Sequence, residues 1–209
     1  MPKNHQEFVG SLDQLANRWS NVDSAVLLKA FPLLARGRAV SCEALALASD
    51  VTVADVKRAL RTAPVGVTDS GEIDELFGLM LAPSWHRIEV GDVALFGCCA
   101  LLAHAAPILL DRAVTVESVD PISRGLVRIT IDRTGVTAGS PAGAVATMPT
   151  PAEPWTRAGV RASFCSHIRH FVDPSTAAEF ESRDRRRRTV GLPLLHVLAK
   201  RLVSRVWGV

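Results

Sequence analysis

The chain has 209 residues, of which 48% are hydrophobic, and its mean hydropathy is +0.20. This length and composition provide enough apolar surface for a folded core, which excludes an intrinsically disordered protein. The formal net charge is +3, but residues 1–80 carry 8 basic and 10 acidic residues, so the first part lacks the basic surface that nucleic acid binding requires.

Helical patterns extend from Leu12 to about Ala63. Gly37 follows an apolar stripe and predicts a helix end, while Ser41 and Thr52 are residue types that cap the N-termini of helices. Three helices followed by a polar turn and an extended stretch resemble a winged-helix unit. We therefore predict a winged-helix-like unit over residues 1–80, serving packing or dimerisation rather than DNA binding.

The second part, residues 81–209, mixes strand and helix patterns, so the predicted fold class is α+β with a mixed or antiparallel β core and flanking helices. An extended region over residues 76–97 leads into it. The other predicted elements, in chain order, are a helix from Cys98 until near Pro107, strands at 113–117 and 126–131, an irregular connection at 138–155, a helical or loop segment around 157–170, a solvated loop at 183–188 and an amphipathic helix at 192–207.

Four cysteines, Cys42, Cys98, Cys99 and Cys165, are the residues with the most distinctive chemistry. The first residues lack the apolar core of a signal peptide, and no apolar run approaches a membrane span, so we expect a cytoplasmic protein. Cytoplasmic cysteines are reduced, which favours reactive or metal-binding thiols over disulfides. No paired CxxC pattern is present, so a structural zinc site is not indicated. Cys42 is expected to be a core residue.

Two of the cysteines lie in distinctive sequence neighbourhoods. Residues 99–101 read Cys-Ala-Leu, with Pro107 eight residues after the cysteine, and residues 163–167 read Ser-Phe-Cys-Ser-His. These two motifs resemble those of the organomercurial lyase (alkylmercury lyase) family. The resemblance extends over roughly residues 25–172, where the matching segments occur in the same order as in the family. Further matching segments are residues 34–41, 77–79 with His86, 120–125 and 140–143.

The resemblance implies a lyase that cleaves a carbon–mercury bond by protonolysis, with Cys99 and Cys165 as the catalytic thiols and mercury ligands. A hydrocarbon leaves, and Hg(II) stays on the two sulfurs until cellular thiols remove it. Thiolate is the softest protein ligand and suits this soft cation. No separate cofactor is expected; the partners are a small organomercurial or other thiol-reactive compound and cellular thiols.

The chain departs from the family pattern at two positions. The family usually has Asp three residues after its first catalytic cysteine, as proton donor or relay, where this chain has Leu102. It often has Trp before that cysteine, where this chain has Cys98. We predict Cys98 as a further metal ligand and His167 as the alternative acid–base group, because histidine titrates near neutral pH.

Two other functions stay open on the sequence alone. One is a divergent enzyme of the same scaffold that acts through a cysteine on an organic substrate of specialised metabolism. The other is a protein that binds or senses a soft metal without catalysis. In either case we expect a monomer or homodimer without membrane or nucleic acid partners.

Overall fold

The computed structural model describes residues 3–19, 22–150 and 159–209. The fold is α+β, as predicted. Its helices are α1 (Lys3–Arg18), α2 (Ser24–Leu28), α3 (Ala30–Leu34), α4 (Cys42–Ser49), α5 (Val53–Leu60), α6 (Ala100–Leu109), α7 (Val160–Ser163), α8 (Pro174–Ser182) and α9 (Leu192–Trp207). Its strands are β1 (Val65–Val67), β2 (Ile73–Leu76), β3 (Leu79–Met80), β4 (His86–Val90), β5 (Val93–Gly97), β6 (Val114–Val119), β7 (Leu126–Ile131), β8 (Val136–Ser140), β9 (Val145–Pro149), β10 (His170–Phe171) and β11 (Arg187–Gly191).

The strands form two sheets in which every described pairing is antiparallel. The larger sheet has the order β1-β2-β3-β5-β4-β6-β7-β8, and the smaller has the order β10-β9-β11. Helix α6 follows directly from the central strand β5 and packs against α9, which also contacts α1 and β9. The chain segment that links β5 to α6, together with the smaller sheet, places the cysteine neighbourhoods in the interior of the protein.

The helices of the first part begin where the sequence predicts caps. The side chains of Ser41 and Thr52 accept hydrogen bonds from backbone N–H groups of α4 and α5, and Asp55 completes a capping box with Thr52. After these helices, β1 and β2 form a two-stranded antiparallel hairpin. The division into units 1–80 and 81–209 stays a prediction; β1 to β3 belong to the same sheet as β4 to β8.

Three predicted elements were wrong in detail. The solvated loop predicted at 183–188 includes the start of β11, because Arg187 and Arg188 pair with β9. In the irregular connection predicted at 138–155, β8 and β9 occupy most of residues 138–149, and residues 151–155 lie outside the described residues. Strand β8 is largely exposed at a sheet edge and lacks the alternating apolar pattern of a half-buried strand. Helix α6 also continues past Pro107 to Leu109. The helix is buried on nearly all sides, and this packing outweighs the single backbone hydrogen bond that proline removes.

Other predictions are confirmed. The last helix spans 192–207, and β6 and β7 form a hairpin whose turn is organised by Asp120, a buried residue that accepts hydrogen bonds from the backbone of Ile122 and Ser123. Among the helices within the described ranges, none combines the length and apolar character needed to cross a bilayer.

Candidate active site

Cys98 and Cys99 occupy the link between β5 and α6. Cys99 is the N-cap of α6 and has extended backbone angles, with φ −155° and ψ 164°. The backbone N–H of Cys98 donates to the carbonyl of Gly78 at 2.9 Å, and that of Ala100 donates to the carbonyl of Ile168 at 3.1 Å. The link is therefore fixed on one side to the turn before β3 and on the other to the segment that carries Cys165.

Cys165 begins a 3₁₀ turn, Cys165–His167, between α7 and β10. The turn is closed by the N–H of Ile168, which donates to the carbonyl of Cys165 at 3.1 Å. The buried hydroxyl of Thr147, on β9, donates to the carbonyl of His167 at 2.6 Å. The smaller sheet thus holds Cys165 against the start of α6.

The sulfur atoms of Cys98, Cys99 and Cys165 lie within 4.8 Å of one another. All three residues are buried, with exposed fractions of 8%, 0% and 7%. Neighbouring residues within a helix point about 100° apart, but Cys98 and Cys99 precede the helix, so this helical constraint does not separate their sulfurs. The half-buried Cys42 lies outside this thiol cluster.

A cavity of about 130 Å³ leads to the thiol cluster. Cys98 and Cys165 contribute to its lining, whereas Cys99 does not and lies deeper. The remaining wall is mostly apolar and is made by Leu15, Trp19, Pro64, Glu75, Phe77, Gly78, Leu102, Val160 and Arg161. Leu102, at the position where the family resemblance implies a carboxylate, is therefore part of the cavity wall.

The three thiols differ in acidity. Burial raises the pKa of Cys99, but hydrogen bonds with Cys165 and Cys98, the backbone N–H of Leu102 and the charge of Arg169 outweigh it, so its pKa lies well below the ordinary value. For Cys98, the hydrogen bond with Cys165 lowers the pKa, but the hydrogen bond with Cys99 and burial outweigh it and raise the pKa. Hydrogen bonds with Cys98 and Cys99 and burial raise the pKa of Cys165. Among the three thiols, the surroundings therefore favour the thiolate form most strongly at Cys99.

Arg169 supplies positive charge next to the thiols. Its guanidinium lies 4.7 Å from the centre of the Trp85 ring, and its Nη1 is buried without a hydrogen-bond partner among the described residues. Burial lowers the pKa of Arg169, while the thiols Cys99, Cys98 and Cys165 act in the opposite direction. The sequence analysis missed this residue, because an isolated arginine carries no pattern.

His167, the predicted acid–base residue, contacts the smaller sheet rather than the cavity lining. Its Nδ1 accepts a hydrogen bond from Nε of Arg187 at 3.1 Å, and a carboxylate oxygen of Asp184 lies 3.7 Å away. Burial, followed by the charges of Arg186 and Arg187, lowers its pKa to about 4. The ring is neutral at physiological pH, and its role in acid–base chemistry stays a prediction.

A chain of buried histidines lies beside the cluster and was also missed. The hydroxyl of Ser118 is 2.7 Å from Nδ1 of His86 and 2.9 Å from Nδ1 of His170. Nε2 of His170 is in turn 3.3 Å from Nε2 of His104. His170 therefore contacts side chains through both ring nitrogens. These residues come from β4, β6, β10 and α6, so their sequence spacing gives no signal.

The fold and the site define an α+β protein whose buried thiol cluster opens to an apolar cavity. The family model described as alkylmercury lyase matches residues 79–204. An alkylmercury lyase from Staphylococcus epidermidis is 33% identical over 184 residues, which cover 85% of this chain and 82% of that protein. The chain belongs to the alkylmercury lyase family.

Two further comparisons agree. An alkylmercury lyase from Streptomyces lividans is 34% identical over 142 residues, covering 68% of this chain and 65% of that protein. The crystal structure of the mercury-bound form of MerB2 matches with a TM-score of 0.74 at 15% identity, covering 96% of this chain and 99% of that chain. At 15% identity, the match to this crystal structure shows similarity of the fold alone. The family predicted from the cysteine motifs is therefore confirmed.

Proposed function

We propose that this chain cleaves the carbon–mercury bond of small organomercurials by protonolysis, with Cys99 and Cys165 as catalytic thiols and Cys98 as a third sulfur ligand. The observation that supports this most directly is the set of three sulfur atoms within 4.8 Å of one another at the end of an apolar cavity. Soft thiolate ligands select soft cations such as Hg(II), and the cluster offers mercury only sulfur.

The geometry gives the thiols different tasks. Cys98 and Cys165 line the cavity and meet an incoming organomercurial first, while Cys99 lies behind them as the thiolate. Binding to a second sulfur releases the proton of that thiol. The carbon takes up one proton with the electron pair of the carbon–mercury bond and leaves as a hydrocarbon. Mercury stays Hg(II), held by sulfur.

The apolar wall fits the organic part of such a substrate. Leu15, Trp19 and Leu102 provide a lining that accommodates an uncharged alkyl or aryl group and excludes water from it. Cellular thiols would then remove Hg(II) from the sulfurs, in keeping with the predicted cytoplasmic location. The predicted alternatives, an enzyme for a purely organic substrate and a non-catalytic metal-binding protein, are not favoured by the family relationship.

The test is hydrocarbon release. Purified protein is incubated with phenylmercury and excess small-molecule thiol, and benzene is measured by gas chromatography. We expect release by the wild type and by Cys42→Ser, whose thiol lies outside the cluster, and loss of release in Cys99→Ser and Cys165→Ser. Stoichiometric mercury binding without benzene would overturn the catalytic proposal and leave a metal-binding protein.

A further inference from the structure

An ion pair lies in the wall of the otherwise apolar cavity. Apart from the cysteines, Glu75 and Arg161 are the ionisable residues that line the cavity in the described part of the chain. Nη2 of Arg161 contacts Oε1 of Glu75, and 86 residues separate the two in the sequence. Arg161 also acts electrostatically on Cys98 and Cys165.

The backbone leaves space for this carboxylate. Gly66 of β1 pairs with Glu75 of β2, and a β-carbon at Gly66 would lie 2.9 Å from Cβ and 3.3 Å from Oε2 of Glu75. At the first distance Glu75 would have to shift, and at the second its carboxylate would have to move by a few tenths of an ångström. The side chain of Glu75 is 24% exposed, so it contacts both the cavity and water.

Protonolysis needs a group that moves a proton between the thiols and the carbon. A guanidinium does not give up its proton near neutral pH, so Arg161 is excluded as the group that transfers the proton. Leu102 has no proton to exchange, and the remaining wall is apolar apart from the thiols, which are occupied as mercury ligands. Among the described lining residues, Glu75 is left as the side chain able to accept a proton and return it.

We propose that Glu75 is the proton relay of this chain, an inference that rests on the proposed lyase function. The Glu75 carboxylate takes the proton of the second thiol as that sulfur binds mercury. The resulting carboxylic acid gives the proton to the carbon, whose bond to mercury breaks and leaves its electron pair in the new carbon–hydrogen bond. Glu75 returns to the carboxylate, and Hg(II) remains on sulfur with no change of oxidation state.

Glu75→Gln tests the relay, because it keeps the size of the side chain and removes its ability to accept and return a proton. We expect benzene release from phenylmercury in a single turnover to fall by about 100-fold or more, the usual contribution of an acid–base residue, while Hg(II) binding stays stoichiometric. Asp74→Asn is the matched control. Asp74 is the adjacent carboxylate on β2, and it does not line the cavity.

A second carboxylate in the same cavity gives a sharper test. In Glu75→Gln/Leu102→Asp, the new carboxylate extends from α6 toward the same space, so we expect release to recover by about tenfold or more over Glu75→Gln. Glu75→Gln/Leu102→Asn, which has the same shape but cannot accept and return a proton, should show no recovery. Recovery in both double variants would show that space rather than proton transfer limits the rate and would overturn the relay.

The outcomes distinguish a failure of the Glu75 relay from a failure of the proposed lyase function. Absence of benzene from the wild type would overturn the lyase function itself. Wild-type release together with release from Glu75→Gln within about threefold would overturn the relay alone. If the Gln variant does not fold, Glu75→Asp keeps the ion pair and draws the carboxylate back by about 1.5 Å; a misplacement of that size costs up to about 100-fold, so a wild-type rate in this variant would also overturn the relay.

Discussion

Gly78 lies directly against the thiol of Cys98. Its φ is +83°, and a β-carbon at this position would overlap with the Sγ of Cys98. The carbonyl of Gly78 also accepts the hydrogen bond from the N–H of Cys98 at 2.9 Å. The glycine therefore both fixes the backbone of Cys98 and leaves space for the sulfur that distinguishes this chain from the family pattern.

Gly78→Ala is expected to destabilise the protein and displace the Cys98 thiol. The left-handed backbone costs an alanine roughly 1–2 kcal/mol, and the overlap with Cys98 adds about 1–3 kcal/mol. The control is Gly71→Ala, because Gly71 has φ +82° but no atom within 4 Å of its β-carbon position. Urea unfolding measures both variants, and equal losses of unfolding free energy would contradict the proposed contact.

Arg169→Gln is expected to raise the pKa of the Cys99 thiol. The guanidinium stabilises the buried thiolate, so its loss moves thiolate formation to higher pH. Ultraviolet thiolate absorbance, followed against pH in a Cys42→Ser background, measures the midpoint. Arg185→Gln, at an exposed arginine, is the control and should leave the midpoint unchanged. A midpoint that does not move in Arg169→Gln would show that Arg169 acts only through packing.

The buried histidine chain is expected to make folding sensitive to acid. Burial lowers the pKa of His170 to about 3, and burial followed by the charge of His170 lowers those of His86 and His104 well below 6.5. Below pH 6.5 the unfolded chain binds more protons than the folded one, so stability is lost as the pH falls from 6.5 toward 3. Each histidine contributes up to about 1.4 kcal/mol per pH unit in that window.

His104→Gln provides the measurement for this effect. Removing one neutral buried histidine should reduce the slope of unfolding free energy against pH by about one proton between pH 6 and pH 5. Near pH 8 the histidines are neutral in both states, so there the slopes of variant and wild type should agree. Identical slopes at acidic pH would mean that His104 does not titrate differently in the folded state.

The organic group that the cavity accepts should depend on Trp19. Trp19→Phe enlarges the cavity, so the ratio of kcat/KM for naphthylmercury to that for phenylmercury should rise by about tenfold. Trp207→Phe is the matched control, since both indoles pack edge-on against Phe77 but Trp207 does not line the cavity. The same ratio in both variants would contradict binding of the organic group next to Trp19.

The elements that could be predicted from the sequence are those with local sequence patterns. The last helix, the β6–β7 hairpin and the helix caps at Ser41 and Thr52 follow from apolar periodicity and capping residues within a few positions. The thiol cluster followed from motif resemblance, since no periodicity relates Cys99 to Cys165. The strands at 136–149 were missed because exposed edge residues in β8 and full burial in β9 both remove the alternating pattern.

The charged residues around the thiols were not predictable from sequence. Arg161 contacts Glu75 although 86 positions separate them in the sequence. Arg169 lies next to the thiol cluster because the adjacent strand β10 pairs with β9. Such contacts depend on the completed fold, in which each residue comes from a separate element. The sequence located the cluster, whereas its electrostatics and the cavity wall required the structure.

The central claim is that thiols far apart in the chain share one mercury atom. X-ray absorption spectroscopy of the protein loaded with one equivalent of Hg(II) measures this directly through the identity and number of mercury ligands. We predict a shell of two or three sulfur atoms, unchanged in Cys42→Ser and reduced by one or more in Cys98→Ser/Cys165→Ser, which leaves Cys99 as the one thiol of the cluster. A wild-type shell containing nitrogen or oxygen, or a shell that is the same in the double variant as in the wild type, would contradict the account.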